Sequence, residues 1–337
     1  MKDFSNCEVD YLRAYDGANG QKTCVISDGN RYMLKFPSLA KDNKDMHYSN
    51  GIVCEHIASM VYKSFGIDTQ DTQLGMYKGK EVVACLDFCK EGERILSFGM
   101  IKNQYIDSER NGFGTELQSV LDTLEQQMFY DSFQLKERFW QMFAADAVLG
   151  NFDRHNGNWG IIVNEISRER RIAPVYDNGS CLYPQLTDEQ MKNILKTPEE
   201  IYNRIYVFPN SALKENGKRI NYYGFLNNVH DMDAIRGMEY VHNHYSDEKI
   251  CNIIGNAEIS DVKKDFFYTM ISLRKEKILD ESLEHSSPSF FNIPFSNETN
   301  LSRKQLEDLI LNGDLPSNDI QNSDPTRTLT KNQQIDL

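Results

Sequence analysis

The chain has little of what marks a secreted, membrane-bound or polyanion-binding protein. Its seven cysteines (positions 7, 24, 54, 85, 89, 181 and 251) contain no Cys-x-x-Cys pair and sit mostly among apolar neighbours. They read as small core residues of a reducing compartment. No apolar run approaches the ~20 residues of a membrane span, so no membrane partner is expected. The opening Met1-Lys2-Asp3-Phe4-Ser5 has no apolar h-region and hence no visible signal peptide. A cytoplasmic location is expected, with export open only to a specialised route that needs no signal. Positive charge is scarce: 37 Lys and Arg stand against 50 Asp and Glu, a formal charge of −13. That argues against a broad nucleic-acid or anionic-membrane surface, though not against a local basic patch. Histidines are few, and His242 and His244 fall on different sides of a predicted helix, so they read as surface residues. No internal repeat is present.

What is there fills one two-lobed unit or two domains, since 337 residues can bury a sizeable core. The organising stretch is Gly150-Asn151-Phe152-Asp153-Arg154-His155-Asn156-Gly157-Asn158-Trp159-Gly160. Its three Gly, three Asn and one Asp are loop chemistry between patterned flanks. Leu135, Phe139, Met142, Phe143 and Leu149 recur at helical spacing before it. Ile161–Val163 and Ile172–Tyr176 follow as a predicted hairpin. Antiparallel strands return the chain to its starting end, so Asn158 and Asp177 are expected side by side, with Asp153 in the loop that feeds them. An amide oxygen and two carboxylates suit a Mg²⁺-phosphate site. Asp-x4-Asn is also the spacing of a kinase catalytic loop, in which the Asp accepts the hydroxyl proton, the Asn holds metal, and a later Asp holds metal against phosphate. Taken alone, the stretch also fits an Asx-rich turn.

Upstream features bear on that choice. A weak strand at 7–13 leads into Tyr15-Asp16-Gly17-Ala18-Asn19-Gly20-Gln21-Lys22, a glycine turn whose backbone N–H groups can approach phosphate. A hairpin turning at Asp28-Gly29-Asn30 returns through Arg31–Phe36. There Lys35 lies between Leu34 and Phe36, either buried with a task or at an edge facing solvent. Residues 51–66 form an amphipathic helix with Glu55 beside its apolar stripe, where a kinase helix carries the partner of its strand Lys; a solvated Glu is the alternative. Thr72–Tyr77 and Glu81–Phe88 read as a second hairpin, its nearly all-apolar second strand central. In a kinase the hinge falls here, with adenine bonded to strand-end backbone, which would make Leu86, Asp87 and Phe88 the candidates and put a lobe boundary near residue 90. From about 95 the chain reads as mainly helical, with helices over 115–129 and 134–149, and Asp146 on the buried stripe needs a partner such as Arg154. Residues 188–280 read as helices and connectors, including 231–244, 247–255 and 260–280. From 281 the polar composition reads as a poorly ordered tail, broken by Phe290–Phe295 and a short helix at 302–311.

The ordered set Gly17-x-x-Gly20-x-Lys22, Lys35, Glu55, Asp153-x4-Asn158 and Asp177 resembles the HipA-like kinases. Their catalytic segment runs Asp-x-His-x-x-Asn, followed by a hairpin and Tyr-Asp, here Tyr176-Asp177. The resemblance covers about residues 7–280. It implies an α+β, two-lobed protein-kinase-like fold with a β-rich N-lobe (1–90), a mainly helical C-lobe (91–280) and a tail (281–337). It further implies ATP and Mg²⁺ as cofactors, and transfer of γ-phosphate to a Ser/Thr hydroxyl of a protein, with autophosphorylation. Asp153 is then the base, and Asn158 and Asp177 hold metal. Gly17, Ala18, Asn19, Gly20, Gln21, Lys22, Lys35, Glu55, Leu86, Asp87, Phe88 and His155 bind or position the nucleotide. The family's toxins carry an N-terminal subdomain before the glycine loop that this sequence lacks, so a HipB-type antitoxin is not an expected partner. Counting back from Lys22, their inhibitory Ser at the start of that loop corresponds to Tyr15, which predicts either no such shut-off or an unusual Tyr15 modification. The rivals are a small-molecule or lipid kinase of the same fold, a pseudokinase, and a metallophosphoesterase, for which seven His are too few and too scattered.

Overall fold

Alternating and continuous apolar runs build a sheet in the first part of the chain. In the computed structural model, which describes residues 1–15, 21–39, 47–48, 50–105 and 112–286, that sheet has six strands. They are β1 (Lys2–Asp3), β2 (Glu8–Val9), β3 (Lys22–Ser27), β4 (Asn30–Lys35), β7 (Thr72–Tyr77) and β8 (Lys80–Leu86), in the order β1-β7-β8-β4-β3-β2. β3 and β4 turn at Asp28-Gly29, and β7 and β8 at Lys78-Gly79, all four residues having positive φ, as two-residue hairpin turns require. β5 (Ser38–Leu39) and β6 (His47–Tyr48) pair separately. α1 (Gly51–Ser64) lies between β6 and β7 in the chain. Val82–Cys85 of β8 are buried because both faces of that strand are covered. Val83 and Cys85 pack with Ile52, while Val82 and Ala84 pack with Phe4, Val25 and Leu34.

The sheet is followed by β9 (Glu93–Ser97), α2 (Phe98–Tyr105), α3 (Leu117–Gln126) and α4 (Ser132–Leu149). Helix α4 is buried continuously from Phe139 to Leu149, as expected of a helix apolar on nearly every side. Asp131 caps it by accepting the Gln134 N–H at 2.8 Å. Gly150, at φ 66°, ends it in the left-handed conformation. The chain then enters the organising loop, β10 (Gly160–Asn164) and β11 (Arg170–Ile172).

The expectation that the chain turns mainly helical from about 95 is corrected at its start. β9 joins the hairpin as a third strand, pairing antiparallel with β10 from Ser97↔Gly160 to Glu93↔Asn164. Glycine is needed at 160, since a Cβ there would lie 2.3 Å from the Leu96 carbonyl oxygen. Phe98 then stacks on Trp159 with ring centroids 4.1 Å apart, which pins the start of β10.

α5 (Asp188–Leu195) and α6 (Pro198–Tyr202) come next, the latter running into a π-helical turn. β12 (Asn210–Glu215), β13 (Lys218–Asn221), α7 (Tyr222–Leu226), α8 (Met232–His244), α9 (Asp247–Gly255), α10 (Asp261–Arg274), a second π-helical turn and α11 (Glu281–Ser286) complete the described chain. The β12–β13 hairpin corrects the reading of 188–280 as helices and connectors. Its turn, Asn216-Gly217 with both φ positive, is a hairpin signal of the strongest local kind. A polar tail from 281 is also corrected: α11 continues to Ser286, with Ser282 buried. The Phe290–Phe295 cluster and the helix expected at 302–311 lie outside the described residues. Residues 1–288 form one compact unit.

Candidate active site

The site begins with a lysine held between two carboxylates. Lys35, at the end of β4, donates from Nζ to Glu55 Oε2 and to Asp177 Oδ1, both at 2.9 Å. Burial alone would lower the Lys35 pKa, but the Asp177 and Glu55 charges outweigh it and the lysine is held well above its ordinary value. The charge on Lys35 in turn holds the Asp177 carboxyl down at about 2, with a smaller contribution from Lys22. Lys22 opens β3 directly opposite Lys35. An ammonium has three donors, so one remains after the two carboxylates.

Asp177 has a φ of 59°, a left-handed turn that Asp tolerates better than most residues. The turn sends the Asn178 N–H to Glu55 Oε1 at 3.0 Å. The Asn178 side chain, fully buried, donates to Ser59 Oγ at 3.0 Å and accepts from Arg154 Nη2. Glu55, Ser59 and Tyr62 lie at i, i+4 and i+7 on α1, one face of a helix. The sequence pattern singled out only the first of them, although that spacing was visible, as was Asn178 beside Asp177.

Arg154 organises the loop from below. It is buried, and donates to both carboxylate oxygens of Asp146 as well as to the backbone carbonyls of Asn158 and Tyr176. One guanidinium therefore brings the two ends of the β10–β11 hairpin together. Asp146 is buried too, and also accepts from Asn151 Nδ2 at 2.7 Å and from the Tyr62 hydroxyl. A buried charge needs this degree of pairing.

Asp153 is half-buried, and its carboxylate has no hydrogen-bond partner among the described residues. Burial raises its pKa and Asp177 adds to the rise, while His155 and Arg219 oppose it. Its backbone carbonyl accepts from Asn158 Nδ2 at 2.9 Å, leaving the Asn158 amide oxygen without a partner among the described residues. His155 Nδ1 accepts the Gly157 N–H at 3.0 Å, turning the ring onto its own loop. Among the described residues no three His, Cys, Asp or Glu side chains are grouped to hold a metal. The donor set does fit Mg²⁺, which takes one or two protein oxygens and completes its shell with water and substrate phosphate. Half-exposed Asp177 and the Asn158 oxygen offer those ligands.

The other expected nucleotide contacts are placed unevenly. Gly17, Ala18, Asn19 and Gly20 lie outside the described residues, and Gln21 carries a carbonyl that accepts the Phe36 N–H at 3.4 Å. At the end of β8, Leu86 is engaged on both sides, its N–H by Asp71 at 2.8 Å and its carbonyl by Gln70 at 2.9 Å. The Asp87 N–H goes to the Arg31 carbonyl at 2.9 Å. The Asp87 carboxylate is an anchor rather than a ligand, accepting from Arg13 at 2.7 and 3.1 Å, the Tyr15 hydroxyl at 3.0 Å and the Cys89 N–H at 3.0 Å. That leaves Phe88 as the one of the three whose N–H has no partner among the described residues.

The family description "HipA-like C-terminal domain" matches residues 15–217. The chain belongs to this family. Among HipA-like relatives it is similar to the serine/threonine-protein kinase CtkA of Helicobacter pylori, with 41% identity over 280 residues, which is 82% of this chain and 86% of that protein. It is also similar to the crystal structure of a Helicobacter pylori proinflammatory kinase CtkA, with a TM-score of 0.81 at 40% identity over 85% of this chain and 97% of that one. The chain therefore has the α+β, two-lobed fold of the HipA-like kinases. A fainter likeness, TM-score 0.49 at 13% identity, is to the HipA, HipB and operator DNA complex of Shewanella oneidensis, covering 82% of this chain and 70% of that one; it is too slight to bear on partners.

Proposed function

We propose that this HipA-like chain is an ATP- and Mg²⁺-dependent serine/threonine protein kinase. It transfers the γ-phosphate to a protein hydroxyl, its own included. The observation that carries the reading is the double grip of Lys35 on Glu55 and Asp177, at 2.9 Å each, in a family whose relative is a serine/threonine kinase. Lys35 keeps a donor for the α/β-phosphates, and Lys22 and the 17–20 loop cover them. Phe88 offers its N–H to adenine, and the lobes divide near residue 90, between the end of β8 and the strand that joins the catalytic hairpin. Asn158 and Asp177 hold Mg²⁺, which when bound neutralises phosphate charge.

Asp153 does the proton chemistry. Its unpartnered carboxylate orients the acceptor hydroxyl and takes its proton, a task suited to a carboxyl whose pKa is raised. His155 holds the loop through Gly157 and leaves Nε2 as its donor. The low pKa of Asp177 keeps that carboxylate ionised for metal at any physiological pH.

The test is incubation of the purified protein with Mg²⁺ and labelled ATP, with and without a generic protein acceptor, beside Asp153→Asn and Asp177→Ala. Label on the wild type alone is expected. Equal label on all three would place the activity elsewhere. ATP binding with no transfer to any protein would favour a small-molecule acceptor, and no ATP binding would end the kinase reading.

A further inference from the structure

The β12–β13 hairpin is docked on the catalytic loop and carries charge that the fold does not explain. Tyr222, which follows β13, donates its hydroxyl to the Asn151 carbonyl at 2.6 Å. Arg219 Nη1 donates to the Phe152 carbonyl at 3.2 Å. The two residues immediately before Asp153 are thus gripped from this hairpin and the start of α7, and Arg219 is close enough to lower the Asp153 pKa.

The strand register then separates the charges. Glu215 stands opposite Lys218, and Lys214 stands opposite Arg219. Directly opposed residues share a face, so Glu215 faces Lys218 on one side of the hairpin and two cations face each other on the other. Glu116, bridged in parallel to Lys214, accepts the Gly217 turn N–H at 2.8 Å and makes no salt bridge to Lys214. Among the described residues neither Lys214 nor Arg219 forms a salt bridge. Like charges directly opposed across an antiparallel pair are destabilising. In a chain with 50 acidic and 37 basic residues, two facing cations without a salt bridge, one of them bonded to the catalytic loop, stand out.

We infer that Lys214 and Arg219 form an acceptor-recognition site for an anionic side chain near the phosphorylated Ser or Thr, so that the kinase prefers acidic acceptor segments. This rests on the protein-kinase reading above and specifies its substrate class. A carboxylate and a phosphate installed earlier share the required chemistry. The cations draw such a segment to the loop and fix its register, as charge complementarity does at interfaces.

The test uses the full chain, Mg²⁺-ATP and single-Ser peptides whose flanks are Ala, Glu, phosphoserine or Lys, with kcat/KM as the readout. The wild type is expected to favour Glu over Ala flanks by about tenfold, the sum of two exposed ion pairs, and to disfavour Lys flanks. Raising the salt should shrink the preference. Lys214→Glu should reduce it, and Lys214→Glu with Arg219→Glu should reverse it toward Lys flanks, a reversal that mere loss of folding cannot produce. Enhancement by phosphoserine but not Glu would identify a pre-phosphorylated segment as the anion. Indifference to flank charge, a Lys preference in the wild type, or a Glu preference that survives both substitutions would overturn the inference. Absence of transfer to every peptide and to a generic protein would instead defeat the kinase reading, and this inference with it.

Discussion

Asp153 and Asp177 are the same residue type in one site, with pKa values driven in opposite directions. Asp177 lies against Lys35 and is held at about 2, whereas Asp153 lacks a cationic partner in contact and is raised by burial. The difference suits a metal ligand and a base. Asp153→Asn is expected to lower turnover by about 10²–10⁴-fold while leaving nucleotide binding intact, which single-turnover kinetics and calorimetry together would check. A second titratable residue bears on stability. His56 is pushed below its ordinary pKa, chiefly by burial, while its Nδ1 contacts Thr72 Oγ1 at 3.0 Å. The unfolded chain therefore binds the proton more readily than the folded one. Stability attributable to this residue is expected to fall as pH drops through about 6.5 and to level off below the folded value. Denaturation midpoints measured across that range should flatten in His56→Gln; an unchanged slope would count against the assignment.

Among the elements, α1 is tied to the Asp177–Asn178 segment more firmly than a single Lys–Glu pair would tie it. Glu55 receives the Asn178 N–H, Ser59 receives the Asn178 amide, and Tyr62 reaches Asp146. Asn178→Ala keeps the backbone bond to Glu55 but strands Ser59 and Arg154. A loss of about 1–3 kcal/mol is expected, read by chemical denaturation, together with faster hydrogen exchange across α1 and reduced turnover. Stability unchanged within error would show that the helix does not depend on this contact. Much at this scale was legible beforehand. The 3.6-residue period of 51–66 gave the helix, and the turn residues Asp28-Gly29 and Lys78-Gly79 gave two hairpins. The strand at Glu93–Ser97 was not legible, because a short, charged, half-exposed segment acquires strand geometry only when β10 offers it an edge. The β12–β13 hairpin carried its Asn216-Gly217 signal openly, and the aromatic and helical patterns around it obscured that signal.

For the molecule as a whole, residues 1–288 make one compact unit, and no helix among the described residues is long and apolar enough to cross a membrane. A chain ending at residue 288 is therefore expected to keep the thermal midpoint and kinase activity of the full chain within experimental error. Loss of either would place part of the fold or of the site beyond that point. Buried Cys24, Cys54, Cys85, Cys89 and Cys181 are free thiols, in keeping with their reading as small core residues.

By itself the sequence determined most of the elements, with β9 and the β12–β13 hairpin the exceptions, and the chemical types at each position of the site, because periodicity and turn chemistry act within a few residues. It also placed Lys35, Glu55, Asp153, Asn158 and Asp177 in kinase order. Only the tertiary structure decided which groups meet: Lys35 with Asp177 across 142 positions, Arg154 with both ends of the hairpin, and Arg219 with the loop before Asp153. A buried polar group demands some partner, and local pattern states that demand. The identity of the partner depends on which distant segment the packing brings within hydrogen-bond reach.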